Sequence, residues 1–139
     1  MRTTTRTVAF AALATGLATP ALAQDVPAEH PLLAGFAHVT TGDGEGPPLA
    51  NPLDMMVPYW GIDPTLEGGP GIELTMRPEG DVVVVEMVKT GLLDDAVRAE
   101  RYRGVSSPMP GGWFHGELGV QVKCARGDNP NEWTMGPCP

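Results

Sequence analysis

Apolar and polar residues alternate from Ile72, with Ile72, Leu74 and Met76 set against Glu73, Thr75 and Arg77. This period of two predicts a strand with one apolar face. Pro78-Glu79-Gly80 predicts a tight turn, and the run Val82-Val83-Val84-Val85-Glu86-Met87-Val88 predicts an extended segment, because β-branched side chains lose rotamer freedom in helices. Being apolar on both faces, that strand belongs inside a sheet. Thr90 to Asp95 turns the chain into a third segment, Ala96 to Val105. An acidic start and a basic end there also suit a helix, but a two-sided strand needs neighbours and the connections are hairpin length, so a strand is expected. A turn is expected over Ser106 to Gly112. Beyond it Phe114, Leu118, Val120, Val122 and Cys124 fall on one face, and His115, Glu117, Gln121 and Lys123 on the other.

The N-terminal half lacks such a period. Pro31 to Val39 is apolar but broken by Gly35, which fits a short helix or an extended arm. Thr41 to Pro48 carries too little apolar surface to offset its ordering entropy and reads as a loop. Asn51-Pro52 is a helix start, since asparagine caps and proline suits the first helical position; one turn over Leu53 to Val57 is expected before Pro58. The expected fold is therefore mainly β, with α+β the alternative: a four-stranded antiparallel meander in residues 71–139, with an irregular segment, 24–70, packed on it.

Residues 1–23 read as a cleaved signal peptide. Arg2 and Arg6 precede an uncharged apolar run from Val8 to Thr19, and Ala21-Leu22-Ala23 is a small-x-small cleavage site. Pro20 interrupts the run short of the roughly 20 residues needed to span a bilayer. Gln24 rather than cysteine follows the cut, so no lipid anchor is expected, and the mature chain belongs in the periplasm or outside the cell. It carries seven of the nine basic residues and all seventeen acidic ones, a formal charge of 7 − 17 = −10. Such a surface repels nucleic acid and anionic lipid. Cys124 and Cys138, the only cysteines, are expected to bridge in an oxidising compartment.

Gly91-Leu92-Leu93-Asp94-Asp95, Glu100-Arg101-Tyr102-Arg103, Cys124-Ala125-Arg126-Gly127, Trp133 and Cys138-Pro139 give residues 71–139 a pattern that resembles small exported bacterial proteins of unknown role. The resemblance implies a sheet ending in a disulfide and carries no catalytic or binding residue with it.

Candidate chemistry is sparse. His115 and Glu117 share a strand face in this reading and are the one close acid-base or metal-ligand pair, but no nucleophile elbow, phosphate loop or zinc helix accompanies them. His30, His38 and His115 with Met55, Met56, Met76, Met87, Met109 and Met135 raise the idea of a copper carrier, against which their scattered spacing argues. Asp94-Asp95 and Asp43-Gly44-Glu45 lack the alternating oxygens of a calcium loop, and Arg126-Gly127-Asp128 is better explained by turn chemistry than by adhesion. The aromatics Tyr59, Trp60, Trp113, Phe114 and Trp133 either build the core or line a groove for a protein, peptide or saccharide. The expectation is a non-enzymatic binding protein without cofactor, followed by a copper-binding accessory and then a small hydrolase.

Overall fold

The computed structural model describes residues 28–41, 46–61 and 69–139. The signal-peptide segment and Asp43-Gly44-Glu45 lie outside the described residues. Six strands form one antiparallel sheet: β1 (Ala37–Val39), β2 (Gly71–Glu79), β3 (Val82–Thr90), β4 (Val97–Met109), β5 (Gly112–Phe114) and β6 (Leu118–Cys124). Its strand order is β1-β6-β4-β3-β2, with β5 paired to the end of β4. The expected meander is β2-β3-β4-β6, and the segment that also suited a helix is the long strand β4.

Two details of the meander differ from the expectation. The turn expected over Ser106 to Gly112 is confined to Pro110-Gly111, because β4 runs on to Met109 and pairs with β5. Gly111 and Gly112 take the positive φ that this hairpin requires. The alternation from Phe114 to Cys124 is also broken, since residues 115–117 leave the extended ladder. A side chain at Gly116 would collide with the carbonyl oxygen of Val105, so the chain turns there on a residue without a Cβ.

Both faces of the sheet are covered. On the first, Val85, Met87 and Leu118 pack against Met55 and Met56 from a 3-10 helix, η2 (Pro52–Tyr59). The Asn51 side chain accepts from the Leu53 amide and Asp54 reaches back to the Asn51 amide, so the cap forms as its sequence suggests, while the helix extends beyond the expected single turn. On the second face, a 3-10 turn, η1 (Pro31–Leu33), brings Leu33 and Phe36 onto Val105. The arm then becomes β1 against β6, so both alternatives for Pro31 to Val39, helical turn and extended arm, occur in succession.

The tail closes the same edge of β6. Val122 and Thr134 exchange two backbone hydrogen bonds of 2.9 Å, and Cys124 and Cys138 are joined by the expected disulfide, with Cα atoms 5.3 Å apart. Among the described residues no helix is long and apolar enough to cross a membrane.

Candidate functional site

Glu117 is not paired with His115. Its carboxylate accepts from the amides of Glu29 at 2.6 Å and His30 at 2.7 Å, and lies 3.3 Å from His38 Nδ1. Partial burial pushes its pKa up, but these donors outweigh that and hold it below the usual carboxylate range. The break at Gly116 removes the shared strand face on which the His115–Glu117 pair depended. Glu117 instead fastens the N-terminal arm to the sheet. The backbone donors give this carboxylate a structural role.

A second polar cluster, unforeseen from the sequence, lies on the η2 face. Lys89 is only 8 % exposed; its Nζ is 2.6 Å from Glu100 Oε2, donates to the Tyr59 carbonyl at 3.1 Å and sits 5.3 Å from the centre of the Tyr102 ring. Tyr102 donates to Glu100 and stacks on Tyr59, with ring centres 5.1 Å apart. Burial is the largest cause that raises the hydroxyl pKa of Tyr102, and the Glu100 charge adds to it. Every member has a partner inside the cluster, which fixes the end of η2 to the sheet. The signal was in the phase: Lys89 continues the inward series Val83, Val85, Met87.

On the opposite face, rings and cations interleave. The Arg101 guanidinium lies 4.6 Å from the Trp133 ring centre and 5.2 Å from that of Phe36, with Arg103 4.5 Å from Phe36 on the other side. Lys123 adds a contact of 4.8 Å to Trp133. Arg103 is paired with Glu86 at 2.7 Å, Arg101 donates to Gln121, and Gln121 donates to the Gly35 carbonyl at 2.6 Å. This layer glues the arm and tail to the sheet.

Of the five aromatics singled out from the sequence, Tyr59, Trp60, Trp113 and Trp133 are scattered and half-buried. Tyr59 and Trp60 pack on the η2 core, Trp113 pairs its backbone with Leu49, and Trp133 covers Arg101. They form no common groove. No group of three or more His, Cys, Asp or Glu side chains able to hold a metal occurs among the described residues. Asp94 accepts from the Ala96 and Val97 amides, which lower its pKa and account for it as a turn residue. Arg126 pairs with Asp95 at 2.5 Å.

One concavity combines apolar walls with convergent polar groups. Val82, Val105 and Phe114 line a cleft of about 190 Å³ on the arm side of the sheet, together with His30, Ser107 and Glu117. Phe114 is 45 % exposed although it is among the largest apolar residues. A larger hollow of about 350 Å³ lies in the disulfide loop, but its walls include the exposed polar turn of Arg126, Asp128 and Glu132. The arm-side cleft is too small for a whole drug-sized ligand and fits a single projecting side chain. Sequence reading had the Trp113-Phe114 pair but not the cleft, which is assembled from four separate segments. No protein family, characterised protein or solved structure matches this chain.

Proposed function

We propose that this chain is an exported, non-catalytic binding protein that holds a peptide or protein partner by one apolar side chain. The observation that carries the reading is Phe114, left half-exposed at the mouth of the Val82–Val105 cleft beside His30 and Ser107. The polar groups nearest to it are engaged in holding the arm, which favours recognition over turnover: Glu117 accepts from two amides and His30 Nδ1 accepts from the Leu32 amide at 3.2 Å. Export is supported by the leader pattern of residues 1–23 and by the disulfide, which suits an oxidising compartment.

Selection from a random peptide display library on the purified, oxidised protein tests this. Peptides should be enriched that share one large apolar anchor, and Phe114→Ala should weaken them roughly tenfold or more while leaving thermal stability nearly unchanged. Calorimetric titration with copper and zinc serves as the second arm. Failure to enrich any peptide, or submicromolar metal binding abolished by His38→Ala, would overturn the reading, the latter in favour of the carrier.

A further inference from the structure

The sheet ends on one side in β2, a nine-residue strand that has no second neighbour among the described residues. Natural edges are ordinarily blunted by shortness, charges (lysine above all), proline or bulges. Here nearly every residue of β2 is exposed, none is lysine, and the ladder with β3 is unbroken from Gly71↔Thr90 to Glu79↔Val82. Leu74 and Met76 remain 37 % and 51 % exposed on the η2 face.

The hairpin fixes which groups point outward. Gly80, at φ 65°, opens a two-residue loop, and the pair that flanks such a loop, Glu79 and Val82, is a hydrogen-bonded one. Alternation then turns the backbone of Glu79, Arg77, Thr75, Glu73 and Gly71 toward β3. Pro78, Met76, Leu74 and Ile72 face the open edge. Proline stands where it leaves the β3 ladder intact and takes one donor from the open edge, at its turn end, so the outward ladder rests on Ile72, Leu74 and Met76.

We propose that β2 pairs antiparallel with β2 of a second copy, about a two-fold axis at Thr75. In that register Leu74 faces Met76, Glu73 faces Arg77 and Thr75 faces itself, so each apolar residue meets an apolar one and each of these charges its opposite. Leu74 and Met76 are outward-pointing positions, as a hydrogen-bonded pair requires, and Glu73 and Arg77 fall in the non-hydrogen-bonded pair, where side chains approach more closely. A one-residue slip would mismatch the outward groups, and the two-residue slips bring Glu73 opposite Thr75 or Glu79 and lose the ion pair. Arg77 also lies 3.6 Å from Glu79, a contact between half-exposed side chains that does not compete strongly. The opposite edge of the sheet is β1, only three residues long, and a two-fold pairing uses each β2 edge once, so assembly closes at two copies instead of growing. The inference is independent of the Phe114 cleft.

Sedimentation of the oxidised mature protein at tens of micromolar tests it. The wild type should run as a dimer. Arg77→Glu should raise the dissociation constant roughly tenfold, since it sets like charges opposite each other twice, and the double variant Glu73→Arg, Arg77→Glu should restore association. Met76→Pro, which removes an outward amide while sparing the β3 ladder, should give a folded monomer. A monomeric wild type would overturn the proposal, and so would a dimer indifferent to both Arg77→Glu and Met76→Pro.

Discussion

Glu117 shows how one carboxylate can organise a segment that lies far from it in sequence. It joins Glu29, His30 and His38 to the sheet across 88, 87 and 79 residues respectively, and its pKa is held low by those donors despite partial burial. A depressed folded pKa means that the stabilisation is complete above the unfolded value, about 4.3, and is lost as pH falls through the lower folded value. Glu117→Gln, which keeps the shape but not the charge, should therefore be less stable than wild type at neutral pH, and the gap should close in acid below that window. The measurement is the denaturant midpoint of both proteins from neutral pH downward. Asp94 titrates low for its own local reasons, so the difference between the two proteins is the informative quantity. Parallel profiles would show that the arm is held by something else.

The strands divide into those with a period and those with only a context. β2, β3 and β6 were legible because each repeats an alternation or is apolar on both faces, whereas β4 was expected only from the neighbours that β3 needs and from hairpin-length connections. β1 and β5 have three residues each, too few for any period to appear, and exist because β6 and β4 offer them partners. The break before β6 was hidden by parity: an even spacing puts Phe114 and Leu118 on one face of an unbroken strand, whereas the break turns Phe114 to the arm side and leaves Leu118 in the η2 core. Lys89 was hidden by its type: a lysine in a valine strand reads as an end, while here it is buried against Glu100. The cleft was hidden because its residues come from segments that no local pattern connects. The central place of β3 has a direct consequence. Val84 is 1 % exposed between β2 and β4, so Val84→Asp, by burying an unpaired charge, should cost about 4 kcal/mol, whereas Leu93→Ala, at a position 82 % exposed, should change stability by less than about 0.5 kcal/mol. Urea unfolding of the two variants decides it, and equal midpoints would remove β3 from the core.

At the scale of the molecule, a single sheet is clamped on one face by η2 and on the other by the arm and tail, the latter held by interleaved rings and guanidinium groups and by the disulfide. The bridge closes a loop with a sequence separation of 14, for which chain entropy gives about 3 kcal/mol, so Cys138→Ser should lose stability of that order and free the tail to hydrogen exchange at Val122 and Thr134. Unchanged exchange there would mean that strand pairing alone holds the tail. Packing of this kind uses Lys89, Glu86, Glu100, Arg101, Arg103 and Glu117 for cohesion, and the Phe114 cleft is the concavity that the proposed partner would enter. The most direct test of that account is an amide chemical-shift map of the ¹⁵N-labelled protein titrated with a peptide selected on it. Perturbations should centre on Val82, Val105, Ser107, Phe114 and Gly116; shifts confined to the surroundings of Tyr59 and Trp60 or to the disulfide loop would contradict it.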